Sequence, residues 1–255
     1  MKSMGHILVT GARRGIGKAI ALAMAKANFD VAVADLEVDA ELRSVGNQIT
    51  DLGLKSTIIS ADISDLICHQ RILNEAEAAL GPLTTLVNNA GVSVLSRGDL
   101  LDVTTESYDR CMNVNARGTF FLTQAFAKRL RETKAERHRS IVTITSANAV
   151  GVSIGRGEYC MSKSAASMMS KLFAARLANE DIGVYEIQPG FIDTDMTAPS
   201  KDKYNTLIES GLTVIKRFGT PDEVARIAVT LASGLLPYTT GQAIQADGGL
   251  LTVRY

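Results

Sequence analysis

One short segment of the chain places several reactive side chains close together. The hexapeptide EYCMSK, residues 158–163, contains the phenol of Tyr159, the thiol of Cys160 and the amine of Lys163. Tyr159 and Lys163 are four residues apart in a helix-patterned stretch, so both should project from the same helix face. A nearby ammonium stabilises a phenolate, which would lower the pKa of Tyr159 toward the range where acid–base catalysis is efficient. The spacing predicts a proton-transfer pair.

The other members of the hexapeptide are assigned to packing. Cys160 has neither a neighbouring base nor a motif, and we expect it to point away from the face of Tyr159 and Lys163. Met161 and Ser162 are expected to pack against the sheet or a partner helix.

A serine follows a predicted strand shortly before this pair. Ser146 comes directly after the run SIVTIT and 13 residues before Tyr159. A hydroxyl at the carboxyl end of a strand could hydrogen-bond a substrate oxygen and stabilise charge that develops there. Thr145 is a competitor, but the alternation of side chains along a strand should turn only one of the two into the site.

A glycine-rich turn follows the first predicted strand. The sequence TGARRGIG, residues 10–17, lies between the strand-like HILVT and the helical run KAIALAMAKA. Backbone N–H groups of such a turn approach a pyrophosphate closely, and the helix N-terminus stabilises its charge. The pattern predicts a dinucleotide site at five residues of the turn: Gly11, Arg14, Gly15, Ile16 and Gly17.

The end of the second predicted strand bears on the choice of cofactor. Asp35 lies 18 residues after Gly17, where a carboxylate would bond the adenosine ribose hydroxyls and repel a 2′-phosphate. Arg13 and Arg14 argue for NADP, because a basic residue in the turn could reach that phosphate. A flexible arginine can turn to water, so Asp35 is given the greater weight. NAD is the predicted cofactor and NADP the alternative.

Two further turns follow predicted strands. Asp62 and Ile63 come after STIISA, and Asn89, Ala90 and Gly91 come after LTTLVN. Ligands of open parallel sheets bind at the carboxyl ends of the strands, so both turns could contact the same cofactor. Asp62 could bond the adenine amino group and the backbone of 89–91 could lie along the second ribose. Ordinary turn chemistry is the alternative.

The elements that must position these residues alternate along the chain. Seven β-rich runs, HILVT, VAVAD, STIIS, LTTLVN, SIVTIT, GVYEI and QAIQA, are separated mostly by helix-length stretches. This predicts an α/β fold, a doubly wound Rossmann-type sheet of about seven parallel strands with helices on both faces. The apolar strands indicate burial on both faces. No linker or repeat divides residues 1–255, so we predict one domain, with a mobile substrate-covering segment at 191–215.

Composition excludes several classes of protein. The 27 Lys and Arg residues balance the 27 Asp and Glu, so no global field would attract nucleic acid or an anionic membrane. Three cysteines without a CxxC pattern and three widely spaced histidines predict neither disulfides nor a metal site. The lack of a secretory signal and of a long apolar stretch predicts a cytoplasmic protein.

Taken together, the motifs resemble those of the short-chain dehydrogenase/reductase family. They occur in the family's order over essentially the whole chain: TGARRGIG, NNAG, the asparagine of NVNARG, Ser146, the YxxxK of Tyr159 and Lys163, and Pro189-Gly190. The resemblance implies reversible hydride transfer between a nicotinamide and the carbon of a carbonyl or secondary alcohol.

The resemblance also implies roles for individual residues. Tyr159 would be the acid–base, Lys163 would lower its pKa and bind the nicotinamide ribose, and Ser146 would position the substrate oxygen. Asn115 would support a water-linked proton relay. Four further residues are implied on the nicotinamide side of the site, the last two contacting the carboxamide: Pro189, Gly190, Ile192 and Thr194.

Within the family the chain looks most like the 3-oxoacyl-carrier-protein reductases, through GFIDTDMT, KRFGTPDEVARIAVTLAS and TTGQAIQADGG. A basic run at 128–139 could dock an acidic carrier protein, although a solvated helix end is the alternative. An aspartate at position 35 suits NAD, whereas fatty-acid reductases usually take NADPH. Oxidation of a sugar, polyol or hydroxy acid therefore stays open.

Two further expectations concern assembly and the absence of catalysis. The resemblance implies a homotetramer in which the run SAASMMSKLFAARLA, residues 164–178, packs between subunits. A cofactor-binding sensor or scaffold without activity is the alternative of another class, since a fold alone does not imply catalysis. Such a protein would lack Tyr159 or Lys163, and both are present.

Overall fold

A single parallel sheet forms the centre of the molecule. The computed structural model describes residues 3–133 and 137–254. Its seven strands are β1 His6–Thr10, β2 Asp30–Asp35, β3 Ser56–Ser60, β4 Thr85–Asn88, β5 Arg139–Ile144, β6 Ile182–Pro189 and β7 Ala243–Ala246. Their order across the sheet is β3-β2-β1-β4-β5-β6-β7, and every neighbouring pair is parallel. The predicted fold class is confirmed.

Helices connect the strands and cover both faces of the sheet. In the described part of the chain they are α1 Gly15–Lys26, α2 Ala40–Asp51, α3 Cys68–Leu80, α4 Thr105–Cys111, α5 Thr119–Glu132, α6 Gly157–Leu177, α7 Lys201–Glu209 and α8 Pro221–Ala232. A π-helical segment, Met112–Gly118, joins α4 to α5. None of the helices in the described ranges is long and apolar enough to cross a membrane.

The two faces of the sheet bury two separate apolar clusters. Ile7 and Val9 of β1 belong to the cluster that includes residues of α1, α2 and α8, whereas Leu8 belongs to the cluster with α3, α5 and α6. Successive side chains of a strand point to opposite faces, so a continuous apolar run is what a strand covered on both faces requires.

The expectation of burial on both faces is wrong for β7. Ala243 and Gln245 are exposed in the single chain, whereas every residue of β4 is buried. The physical reason is position, because β7 lies at the edge of the sheet and pairs with β6 on one side.

The region after β6 contains two short helices, α7 and α8, before β7. The segment 191–215 contains a short 3₁₀ turn at Ala198–Ser200 followed by α7, so it is more regular than its sequence indicates. Helix α8 begins with a capping box. The Thr220 hydroxyl accepts from the Glu223 N–H at 3.3 Å, and the Glu223 carboxylate accepts from the Thr220 N–H at 2.8 Å.

Candidate active site

A cavity of about 450 Å³ lies at the carboxyl edge of the sheet. Segments that follow β1 to β6 contribute to its wall. The strand order changes direction at β1, beside β4, which is the place where open α/β sheets bind ligands. The topology therefore brings sequence segments that are far apart in the chain around one cleft.

The glycine turn has the backbone shape of a phosphate cradle. Gly11 has a φ of +66°, and a Cβ atom there would lie 2.8 Å from the Cα of Ala90. A Cβ at Gly17 would lie 2.0 Å from the Gly11 carbonyl oxygen. Helix α1 begins at Gly15 without a side-chain cap, so its first N–H groups face the cavity side of the turn unblocked. These features fit the pyrophosphate of a dinucleotide.

Asn89 holds that turn in place. Its side-chain amide donates to the carbonyl oxygens of Thr10 and Gly11 at 3.0 and 2.9 Å. The Thr10 hydroxyl in turn accepts from the N–H groups of Asn89 and Ala90, both at 3.1 Å. The turns after β1 and β4 are thereby joined. Gly91 follows directly, and a Cβ there would lie 3.3 Å from Nζ of Lys163.

Acidic groups surround the predicted position of the adenosine ribose. The Asp35 carboxylate accepts from the N–H groups of Arg13 and Leu36 at 3.0 and 2.9 Å, which fixes it at the end of β2. The Arg13 guanidinium bonds Glu37 and Asp39 at 2.5 and 2.8 Å. Hydrogen bonding and charge from Asp39 raise the pKa of Arg13 against the opposing effect of burial. The guanidinium of Arg13 is therefore already paired with carboxylates of the chain.

The remaining predicted cofactor residues also line the cavity. Asp62 is exposed and accepts from the N–H and hydroxyl of Ser64 at 2.9 and 2.7 Å, while Ile63 is buried. Thr194 lies against the start of α1, because a Cβ at Gly15 would be 3.4 Å from its methyl group. The full set of predicted cofactor residues in the cavity wall is Gly11, Arg14, Gly15, Ile16, Gly17, Asp35, Asp62, Ile63, Asn89, Ala90, Gly91, Tyr159, Lys163, Pro189, Gly190, Ile192 and Thr194.

Tyr159 and Lys163 share one face of α6, as their spacing predicts. Both are buried, and Nζ of Lys163 lies 5.8 Å from the centre of the Tyr159 ring. The ammonium donates to the Ile144 carbonyl at the end of β5 at 3.1 Å. Burial lowers the pKa of Lys163 to about 8, against smaller raising effects of Cys111 and Glu186.

The predicted lowering of the Tyr159 pKa is wrong. Burial raises the pKa of the phenol, because desolvation disfavours the charged form. A hydrogen bond from Ser146 and the charge of Arg156 oppose this rise. Lys163 is four residues away on the same face, yet a different cation, Arg156, is the charge that favours the phenolate here.

Ser146 rather than Thr145 faces Tyr159. Ser146 opposes the rise in the pKa of the phenol and accepts from the Asn148 N–H at 3.1 Å. Thr145 donates instead to the buried carboxylate of Glu186 at 2.5 Å. Alternation along the end of β5 therefore separates the two hydroxyls, as expected.

Asn115 lies in the π-helical segment, where the extra residue in the turn displaces a side chain toward the sheet edge. The side chain is buried and accepts from the Val92 N–H at 2.8 Å. It donates to the Val92 carbonyl and to Ser162, both at 2.9 Å. These bonds fix the loop after β4, and the part of Asn115 in a proton relay stays a prediction.

Ser162 is therefore more than the packing residue that was expected. It is buried, accepts from Asn115 and donates to the Tyr159 carbonyl at 2.8 Å, so it links α6 to the π-helical segment. Met161 is 53% exposed and does not pack on the sheet of its own chain. Cys160 is half-buried with its sulfur 3.7 Å from the Ser153 carbonyl oxygen, in a packing environment.

Several residues of the cavity wall escaped the sequence analysis, among them Arg97, Asn148, Arg156 and Tyr204. The Arg156 guanidinium lies over the Tyr159 ring at 5.3 Å and bonds Asn148. The Arg97 guanidinium bonds the Tyr204 hydroxyl at 2.9 Å. Of these, only Arg156 could have been noticed in the sequence, because a cation directly before a helix is unfavourable with the helix dipole and therefore unusual.

The sheet order, the glycine turn and the buried tyrosine and lysine define a nicotinamide-dependent oxidoreductase of the short-chain dehydrogenase/reductase type. Comparison with known proteins agrees. A family model described as enoyl-(acyl carrier protein) reductase matches residues 11–251, and the chain belongs to the short-chain dehydrogenase/reductase family.

Individual relatives extend over the whole chain. The 3-oxoacyl-[acyl-carrier-protein] reductase of Thermotoga maritima is 32% identical over 244 residues, which is 96% of each protein. A crystal structure of 3-oxoacyl-[acyl-carrier protein] reductase from Brucella melitensis in complex with NAD has 41% identity and a TM-score of 0.95, covering 100% of both chains. A putative 2-deoxy-D-gluconate 3-dehydrogenase from Agrobacterium tumefaciens with bound NADP has 29% identity and a TM-score of 0.87, covering 98% of both.

The described residues contain no group of three or more His, Cys, Asp or Glu side chains arranged to hold a metal ion. His6, His69 and His138 each make contacts in separate parts of the fold.

Proposed function

We propose that this chain is an NAD(H)-preferring dehydrogenase that interconverts a small secondary alcohol and its ketone. The observation that carries the proposal is the position of Tyr159. Tyr159 and Ser146 both line the cavity that the glycine turn also lines, and the ammonium of Lys163 lies 5.8 Å from the centre of the Tyr159 ring.

The protein's own residues would orient the substrate and move its proton. Ser146 would hold the substrate oxygen, and Tyr159 would pass a proton to that oxygen during reduction or accept it during oxidation. Bound NAD(H) would supply the chemistry of hydride transfer from or to the adjacent carbon. Lys163 would bind the nicotinamide ribose through an ammonium whose charge is sensitive near neutral pH, because burial lowers its pKa to about 8. Asn115 would support the proton relay behind Tyr159.

The preference for NAD rests on the acidic surroundings of Asp35. A 2′-phosphate at this position would meet the carboxylates of Asp35 and Glu37 in the cavity wall, and the guanidinium of Arg13 is already paired with Glu37 and Asp39. Arg14 approaches Asp195 at 3.6 Å on the other side of the turn. Like-charge contact would disfavour NADP. The relative with bound NAD and the relative with bound NADP show that both cofactors occur among similar proteins.

Steady-state kinetics with both reduced cofactors tests the proposal. With one ketone substrate at fixed concentration, kcat/KM for NADH should exceed that for NADPH by about tenfold or more, the effect of one poorly placed charge. Equal or higher efficiency with NADPH would contradict the preference. Turnover with neither cofactor across a panel of ketones would contradict the enzymatic proposal and favour the sensor or scaffold.

Reduction of a 3-oxoacyl thioester on a carrier protein is the second candidate, favoured by the names of the relatives. Residues 134–136 of the basic run lie outside the described residues. In its described part, Arg129 bonds Glu77 at 2.7 Å, Arg131 bonds Glu180 at 2.5 Å and Arg139 donates to backbone carbonyls. These charges have partners within the chain, which weakens the docking role.

Comparing an acetoacetyl group on a carrier protein with the same group on a small thiol measures any carrier contribution.

Two proposals concern assembly and location. The outer face of α6 exposes Met161, Met168 and Leu172 at 53 to 57%, and β7 is an exposed edge, so a homotetramer would cover apolar surface. Sedimentation equilibrium tests this, with a monomer as the contradicting result. The three cysteines are free thiols, which favours a reducing compartment such as the cytoplasm.

A further inference from the structure

The substrate end of the cavity contains an arginine whose bonding is incomplete. Arg156 is half-buried, and its Nε is shielded from solvent without a hydrogen-bond partner in the described part of the chain. A shielded N–H without a partner is costly, and it is more costly on a charged group. The Arg156 side chain also lines the cavity, and its terminal nitrogen Nη1 has no hydrogen-bond partner among the described residues and is not shielded, so a ligand in the cavity could bond that nitrogen.

The position of Arg156 in the backbone adds to this cost. It is the residue directly before α6, where the helix dipole favours negative charge and opposes a cation. Among the described residues no carboxylate lies within ion-pair distance of Arg156, whereas Arg13, Arg71, Arg129 and Arg217 each have one. An anion from outside the chain would interact favourably with the helix dipole and would give the guanidinium the charged partner that it lacks.

The neighbours of Arg156 hold it in a defined direction. One terminal nitrogen donates to the Asn148 side-chain oxygen, and the Asn148 amide donates to the Gly151 carbonyl at 3.0 Å. The Asn148 N–H donates to Ser146, and the guanidinium lies 5.3 Å from the centre of the Tyr159 ring. One small molecule could therefore place an oxygen at Ser146 and Tyr159 and an anionic group at Arg156.

The charges around the cavity divide between its two ends. At the adenosine end Asp35, Glu37 and Asp62 line the wall together with Arg13 and Arg14, and both arginines are paired with carboxylates of the chain. At the substrate end the charged side chains of the wall are Arg156, Arg97 and Lys163. Glu158, next to Tyr159, is buried and accepts from Ser107 at 2.6 Å, and it is not part of the wall. Arg97 is exposed and bonds a phenol, not a carboxylate.

We propose that Arg156 is a specificity-determining residue that binds the carboxylate of a short hydroxy acid or keto acid. Planar guanidinium groups pair well with carboxylates, and the terminal nitrogen Nη1, which bonds no described residue, would donate to the ligand. The carboxylate lies within a few carbon atoms of the reacting carbon because Arg156 lies over the ring of Tyr159. The inference rests on the proposed function and specifies its substrate class.

A matched substrate panel tests the inference. Wild-type enzyme with NAD is assayed with 2-hydroxy and 3-hydroxy acids of three to six carbons, with the methyl ester of each acid, and with an acetoacetyl thioester in the reverse direction. Arg156→Gln removes the charge, and Arg71→Gln on α3, an exposed arginine remote from the cavity, is the control. The wild type should favour at least one acid over its ester by about tenfold or more in kcat/KM, a typical value for one charged contact. Arg156→Gln should lower kcat/KM for the acid at least tenfold more than kcat/KM for its ester, so that the preference for the acid is lost, while Arg71→Gln should keep that preference.

A binding measurement separates failure of this inference from failure of the proposed function. In the presence of NADH, butyrate and 3-hydroxybutyrate should raise the Tm of the wild type and of Arg71→Gln but not of Arg156→Gln. Equal Tm shifts in all three proteins, or a wild type that favours esters or the thioester over acids, would overturn the inference and leave the proposed function intact. Turnover of no compound in the panel would contradict the proposed function, and the Tm shifts would still decide the role of Arg156.

Discussion

The two ends of the cavity are built from different parts of the chain. At the adenosine end, contiguous turns supply backbone N–H groups, and carboxylates stand at the end of β2. At the substrate end, isolated side chains from separate loops, Arg97, Asn148 and Arg156, line the same cavity as Tyr159, and Arg156 lies over its ring. A backbone cradle needs glycines at fixed spacing and leaves a motif in the sequence. A side-chain pocket needs only that the fold bring residues together, so it leaves none.

The largest effect is expected at Tyr159, between the two ends of the cavity, where a substitution should affect catalysis without affecting cofactor binding. Tyr159→Phe removes the phenolic proton and should lower kcat by about 10²–10⁴-fold, the usual contribution of a general acid–base. The Kd for NADH, measured by fluorescence, should stay unchanged because the cradle is backbone. Tyr238→Phe, a fully exposed tyrosine, is the control. Full activity of Tyr159→Phe would show that the proton-transfer group lies elsewhere.

A smaller effect is expected at the adenosine end. Asp35→Asn keeps a hydrogen-bond acceptor for the N–H groups of Arg13 or Leu36 but removes the charge. The ratio of kcat/KM for NADPH to that for NADH should rise about tenfold, because repulsion of a 2′-phosphate is reduced. Asp51→Asn, at the exposed end of α2, is the matched control. An unchanged cofactor ratio in Asp35→Asn would mean that Glu37 and Asp39 set the preference.

Burial of the Lys163 ammonium should lower the stability of the folded protein. Its pKa is lowered from 10.5 in a free lysine to about 8, so the unfolded chain binds more protons between these values. Stability attributable to this group should therefore rise with pH across that window. Lys163→Met should lose activity yet gain about 1–3 kcal/mol at pH 7, since burial of the ammonium no longer opposes folding.

Urea unfolding at several pH values measures the Lys163 effect. The stability difference between Lys163→Met and wild type should shrink as the pH rises from 7 to 10, because the wild-type ammonium loses its proton in the folded state first. A variant that is less stable than wild type at every pH would show that the hydrogen bond to the Ile144 carbonyl outweighs desolvation.

The smallest effect is expected for a substitution outside the cavity, which should change the free energy of unfolding but neither cofactor nor substrate preference. Thr220→Ala removes the capping hydroxyl of α8 and should cost about 1 kcal/mol in the free energy of unfolding. Helix α8 packs beside α1 in the apolar cluster behind the adenosine end. Thr220→Ser should restore most of the loss. A change in cofactor ratio or in substrate preference would show that helix packing, and not local charge, sets the difference between the two ends.

Sequence reasoning reached the fold, and it selected residues that line one cavity, for identifiable reasons. Strands buried on both faces must be apolar throughout, so β1 and β4 stand out in the chain. The spacing of Tyr159 and Lys163 follows from helix geometry alone. It did not reach the exposure of β7, which depends on the edge position, nor the partner of Ser162, which comes from the π-helical segment.

The sequence by itself determined the parallel sheet, the glycine turn and the placement of Tyr159 and Lys163 on one helix face, because periodicity and backbone sterics are local. Only the tertiary structure decided the electrostatics. Burial raises the pKa of Tyr159 and lowers that of Lys163, and the cation that opposes the rise for the phenol is Arg156. Desolvation and charge proximity depend on what surrounds a group in three dimensions, and the order of residues along the chain does not specify this.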